Sequence, residues 1–241
     1  MSNPKIEKKI FLWSPMLSNV GTINAMYGIA SSIKKYSDSK IYIFNILGEF
    51  NKFKNEKFQF INFISSYFVL PKTGNLSKFF IFFFSIISFP YLVYTVLKYK
   101  PNIIITGLVG FVPSCLKYFF PKLVIINSIQ GLPKFNFLRK LLWKTSYKKS
   151  DYLLTMTNKT KNEIHEKIGI SIEKILKVPN PILTRNIRKK SLETIDARYA
   201  PIFQKKVFCT IGRLTRQKNY FELVDFFNEF SKINKSEFNL I

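Results

Sequence analysis

Along most of this chain, short runs that are apolar throughout alternate with segments whose apolar residues recur at helical spacing. Residues 10–13 read as a buried strand, ended by Ser14-Pro15 and a loop through Gly21. Ile23, Met26, Tyr27, Ala30 and Ile33 then recur on one helical face. Further strand-length runs cover residues 41–47, 58–64, 102–106 directly after Pro101, 123–129, 152–157 and 175–178. Strands without a polar alternate face are buried on both sides, which implies a parallel sheet covered by helices. Residues 1–183 are therefore predicted to form a Rossmann-like α/β domain.

Residues 184–205 are charged, broken by Pro201 and without a clear period, and read as an interdomain connection. A new β-α-β unit begins at Lys206. Asn219 is expected to cap its helix with Glu222 as the partner of a capping box. Phe221, Val224, Phe227 and Phe230 give that helix an apolar face, and residues 238–241 form the next strand. Residues 206–241 are fewer than the roughly 40 on which a free-standing domain usually depends. They read as the start of a larger C-terminal domain.

Residues 79–97 carry no charge and are flanked by Lys72, Lys78, Lys98 and Lys100. The length suits a membrane span. Against a span stand Pro90 within the stretch, basic residues at both ends that indicate no orientation, and strands of one sheet on either side. Two readings stay open: a buried helix covering the sheet, and a helix lying in a membrane interface with its lysines near the headgroups.

Composition narrows the chemistry. Among 241 residues, 38 Lys and Arg face 14 Asp and Glu. Such an excess calls for an anionic partner, whether phosphate, nucleic acid or acidic lipid, or reflects a compositional bias of the source. The lysines are spread along the chain, the aromatics fall in apolar runs, and no nucleic-acid motif is present, so no nucleic-acid partner is expected. Two cysteines far apart and a single histidine, His165, leave no disulfide framework, no cysteine metal site and no Ser-His-Asp triad. The polar first residues lack a secretory signal, and a reducing, cytoplasmic setting is expected.

The most informative segment is 207–219, where an apolar strand opens at Gly212-Arg213 and reaches Lys218 before a helix. Gly212 permits close backbone approach, Arg213 offers a forked donor and Lys218 a point charge, a layout suited to gripping a phosphate. The plainer reading of Lys218 is a solvated surface cation. The segment Ile211-Gly212-Arg213-Leu214-Thr215-Arg216-Gln217-Lys218-Asn219 closely resembles the motif opening the C-terminal domain of family 4 glycosyltransferases, which have the two-domain GT-B fold. Val178-Pro179-Asn180-Pro181-Ile182 resembles the segment that closes their N-terminal domain, and Gly21-Thr22 lies where their glycine loop follows the first strand.

The resemblance implies transfer of a sugar from a nucleotide-sugar donor, hexosyl-type, with retention of anomeric configuration and no cofactor or essential metal. Independently, no Asp-x-Asp triplet occurs in the sequence. By position, Gly212, Arg213 and Lys218 would contact the donor diphosphate and stabilise the charge that develops on it. Gly21 and Thr22 would approach the same phosphates or the acceptor. Where many members carry a histidine after the fifth strand, this chain has Gln130-Gly131; Gln130 is either a contact for a sugar hydroxyl or a turn residue. Asn180 is expected to shape a domain-edge turn. The implied setting is surface-polysaccharide or lipid-linked oligosaccharide assembly, peripheral at the anionic inner face of the plasma membrane. The family's Glu-x7-Glu segment is absent up to Ile241, so the chain reads as a truncated transferase with little or no activity. The alternatives are an inactive remnant serving as an interaction module and, less favoured, a basic nucleic-acid-binding protein.

Overall fold

A computed structural model describes residues 7–17, 21–53, 58–63, 74–131, 136–181, 184–212, 214–233 and 238–241. Two compact units divide the chain, Met1–Ile182 and Leu183–Ile241. In the first, the order is β1 (Lys9–Trp13), α1 (Gly21–Tyr36), β2 (Lys40–Asn45), β3 (Gln59–Asn62), α2 (Gly74–Ile87), α3 (Phe89–Tyr99), β4 (Ile103–Thr106) and the short α4 (Phe111–Ser114). It continues with β5 (Val124–Ile129), α5 (Phe137–Lys149), β6 (Tyr152–Thr155), α6 (Asn158–Ile168) and β7 (Ile175–Lys177). The second unit contains α7 (Thr184–Ser191), β8 (Lys206–Phe208), α8 (Tyr220–Ile233) and β9 (Phe238–Leu240).

The seven strands of the first unit form one sheet in the order β3-β2-β1-β4-β5-β6-β7, and every neighbouring pair is parallel. Alternate residues of β1 serve opposite faces. Phe11 and Trp13 pack with Phe44, Leu92 and Val96 toward α3, whereas Ile10 and Leu12 pack with Ile23, Met26 and Ile43 toward α1. Both faces are covered, as the uninterrupted apolar runs require. A third cluster, with Leu153, Ile164 and Ile175 at its centre, closes the β6–β7 end.

Local polar groups trim the elements relative to the apolar runs. The run at 41–47 ends as a strand at Asn45 because the Glu49 carboxylate accepts the Ile46 and Leu47 amides at 3.1 and 2.7 Å, removing them from ladder pairing. The run at 152–157 ends at Thr155 because Thr157 instead caps α6, accepting the Thr160 amide at 3.2 Å. The uncharged stretch 79–97 is two helices, not one. Pro90 lacks an amide hydrogen and its ring opposes the preceding turn, so the helix breaks at Ser88 and Pro90 fits the first turn of α3. No single helix among the described residues is long and apolar enough to cross a membrane. Leu76–Ile87 and Phe89–Tyr99, bent by 46° at the break, meet that condition only when taken together.

The second unit pairs β8 with β9 in parallel across α8, so the expected β-α-β start is present. Phe208 packs against Phe227, Phe230 and Phe238 with ring centroids 5.5 to 5.7 Å apart. Residues 184–204 are more ordered than their sequence suggests. They contain α7 and a 3-10 segment Ala197–Gln204 capped by Asp196, whose carboxylate accepts the Arg198 amide at 3.0 Å. Asn219 departs from the expected capping box, because its backbone amide donates to the Arg216 carbonyl at 3.2 Å. It adopts a left-handed backbone (φ 50°) and donates its side-chain amide to Glu222. Its carbonyl accepts the Leu223 amide at 3.2 Å.

Candidate active site

The strand order reverses between β1 and β4, and in open parallel sheets the crevice beyond the carboxyl ends of the strands at such a point is where ligands sit. A cavity of about 590 Å³ lies there. Thr106 and Gly107 at the end of β4, Ile129 and Gln130 at the end of β5, and Thr22 in the first turn of α1 line it. Gly21 and Thr22 thus open a helix rather than stand in a loop, and Thr22 reaches the cavity.

Gln130 is held in place. Its amide donates to Ser128 Oγ at 2.6 Å, and its carbonyl oxygen accepts from Asn180 Nδ2 at 2.7 Å. Asn180 also donates to Met156 Sδ at 3.0 Å. The segment closing the unit therefore orients Gln130, and Asn180 acts through Gln130. Gln130 stands on the cavity wall.

Beneath the cavity lies a buried polar network that the sequence did not announce. Asn127, inside the apolar run of β5, is 2% exposed. It bonds Thr106 Oγ1 through its oxygen, and its amide donates to Ser150 Oγ at 2.5 Å and Ser146 Oγ at 3.3 Å. Ser114 joins through Ser146 at 3.0 Å and donates to the Gly110 carbonyl at 2.7 Å. Gly110 approaches so closely that a Cβ there would run into Asn127 Oδ1. Among the described residues, Trp13 Nε1 and Ser14 Oγ at the end of β1 are buried side-chain atoms without a hydrogen-bond partner in the protein. Burial also pushes the Tyr147 hydroxyl, on the cavity wall, above its ordinary pKa.

Lys78 of α2 and Arg139 of α5 also line the cavity. Lys78 had stood out only as a flank of the apolar stretch, and Arg139 had not stood out at all. A cation aligned by tertiary structure has no local signature. Glu49, at the end of β2, is fully enclosed, and burial raises its pKa to about 8 despite the backbone amides that favour its anion.

In the second unit, Gly212 and Lys218 are brought together. A Cβ on Gly212 would stand 2.7 Å from the Tyr220 hydroxyl and 3.3 to 3.4 Å from Cε and Cδ of Lys218, so any larger residue at 212 would first displace Tyr220. Lys218 ends a 3-10 turn, Arg216–Lys218, directly before α8. Arg213 lies outside the described residues. No group of three or more His, Cys, Asp or Glu side chains that could hold a metal occurs among the described residues.

No protein-family model matches the chain, and no curated protein matches it. Solved structures do. A glycosyltransferase from Rickettsia africae aligns over 98% of this chain and 60% of its own, with a TM-score of 0.61 and 14% identity. Anabaena HepE in complex with UDP and glucose aligns over 91% and 57%, with a TM-score of 0.61 and 11% identity. The UDP-GlcNAc 2-epimerase of Neisseria meningitidis bound to UDP-GlcNAc aligns over 97% and 65%, with a TM-score of 0.55 and 15% identity. The chain thus spans about three fifths of the length of these proteins. The fold is the GT-B-like α/β architecture: a seven-stranded parallel Rossmann-like domain followed in the chain by a β-α-β unit.

Proposed function

We propose that this chain belongs to a glycosyltransferase that moves a sugar from a nucleotide-sugar donor to an acceptor. The observation that carries the reading is the close pairing of Gly212 with Lys218, before a helix, in a chain of GT-B-like fold. A glycine with the stem of Lys218 and the Tyr220 hydroxyl beside it can receive a diphosphate, and charge-assisted contacts from the lysine would stabilise the negative charge that grows as the sugar leaves. Arg213 adds a forked donor in the same segment. The 2-epimerase of the same fold shares the nucleotide-sugar chemistry, and the motif at 211–219 favours transfer.

Finer features follow the family 4 resemblance: retention at the anomeric carbon and phosphate stabilisation by cations in place of a metal. The first unit receives the acceptor, with Gln130 and Thr22 at the cavity. A setting at the cytoplasmic face of an anionic membrane is supported by the basic excess and by the exposed apolar residues of α2 and α3, among them Phe79, Phe83, Tyr94 and Leu97. Each Lys or Arg near such a surface contributes about 1 kcal/mol.

Calorimetric titration of the 241-residue chain with UDP-, GDP- and ADP-sugars tests the proposal. Saturable binding of one of them is expected, weakened about tenfold or more by Lys218→Ala. Failure of all three to bind contradicts it. Conversion of the bound sugar to its epimer without an acceptor would reassign the chain to epimerase chemistry.

A further inference from the structure

From Phe79 to Ile87, helix α2 is apolar around its circumference except at Ser85. Ile81, Phe84 and Ser85 face the unit's interior, while Leu76, Phe79, Phe82, Phe83, Ile86 and Ile87 are exposed. A helix of this kind belongs where water is absent from both sides, and a contiguous exposed apolar ridge marks a contact with something apolar. Stacking of Phe79 on Phe83, at 5.7 Å between centroids and 16° between planes, sets the ridge in advance.

The same helix walls the cavity. Lys78, Ile81 and Phe82 line it, as do Arg139 and Trp143 of α5. Phe82 belongs to both surfaces, being exposed on the ridge and present at the cavity, so the two are continuous. The exposed area of the lining is largely apolar, with Thr22 and Gln130 among its polar members, which suits a ligand that has both an apolar and a polar part. Its charged members are two cations, and the described lining includes no carboxylate.

We propose that the cavity binds the phosphate end of an amphiphile, a long-chain alkyl or isoprenoid phosphate, with Lys78 and Arg139 holding the phosphate and the chain lying along Phe82, Phe79, Phe83 and Ile86. This inference rests on the transferase reading in naming that amphiphile as the acceptor class. The lipid source is favoured over free phosphate because the ridge gives the apolar chain a place that inorganic phosphate would leave bare to water.

The test uses the whole chain and its own fluorescence. Of two tryptophans, Trp13 is buried in the core and Trp143 stands on the cavity wall. Monododecyl phosphate is titrated below its micelle concentration, with dodecyl maltoside and inorganic phosphate as probes of each part alone. Dodecyl phosphate is expected to change Trp143 emission saturably, to lose that signal in Trp143→Phe, and to bind about tenfold more tightly than either probe. The Lys78→Gln/Arg139→Gln pair is expected to lower its affinity about tenfold without altering that of dodecyl maltoside. Phe82→Asn should weaken both chain-bearing ligands. If the charge variant does not fold, raised salt on the wild type serves the same comparison.

Equal affinity for dodecyl phosphate and dodecyl maltoside, or indifference to charge removal and salt, overturns the proposal. Inorganic phosphate binding as tightly as dodecyl phosphate overturns its lipid source. A chain that binds a nucleotide sugar but not dodecyl phosphate loses this inference alone. A chain that binds dodecyl phosphate but no nucleotide sugar loses the transferase reading.

Discussion

Replacing Glu49 by glutamine removes a titratable carboxyl from one of the least hydrated places in the fold. The carboxyl is 3% exposed, and its oxygens accept the Ile46 and Leu47 amides. Burial raises its pKa from the usual 4.5 to about 8, against the pull of those amides. Between these two values the unfolded chain has lost its proton and the folded chain keeps it. Folding thus binds a proton, and stability must fall as pH rises through that window. The linkage gives a loss of about 3 to 4 kcal/mol between pH 5 and pH 8 from this one group. Glutamine cannot ionise and retains one of the two amide contacts, so at pH 5 it costs about 1 kcal/mol. At pH 8 the variant becomes the more stable protein by about 2 to 3 kcal/mol on the same accounting. Urea titrations of both proteins at half-unit pH steps, plotted as a difference, cancel every other titrating group. A difference curve that is flat from pH 5 to pH 8, or that slopes the other way, refutes the reasoning.

Gly110→Ala forces a methyl against Asn127 in the network under the cavity and should destabilise by about 1 to 3 kcal/mol by urea unfolding. A neutral result would mean that the network rearranges freely. Asp151 accepts both the Ile125 amide and Lys117 Nζ at 2.7 Å, so Asp151→Ala should cost about 2 kcal/mol, most of it from the stranded amide. Vesicles containing anionic lipid should carry the protein down on sedimentation at low salt, zwitterionic vesicles should carry less, and Phe79→Ser/Phe83→Ser should reduce both. Equal binding to the two vesicle types would remove the electrostatic part of that account.

The parallel sheet was legible because its strands are buried on both faces and leave apolar runs, as at β1 and β4. Where those runs overshot, a short-range polar group had intervened: Glu49 after β2 and Thr157 after β6. Helix α7 escaped notice because TRNIRKKS has almost no apolar face, and the 3-10 segment because Pro201 reads as a breaker. Thr22 and Gln130, singled out from their local sequence, stand on the cavity wall. The candidate site was illegible where the fold assembles it from afar. Asn127 hides inside an apolar run, and Lys78 and Arg139 meet at one cavity although about 60 residues separate them in the chain.

The central claim, that Gly212 and Lys218 grip a donor diphosphate, has a direct test in protein labelled with nitrogen-15 at its nine glycines. The Gly212 signal is identified by its loss in Gly212→Ala. Titration with UDP, GDP and ADP should move it saturably with at least one nucleotide, leave Gly169 at the end of α6 in place, and lose most of the shift in Lys218→Ala. A Gly212 signal that stays still at millimolar nucleotide while the protein remains folded would contradict the account.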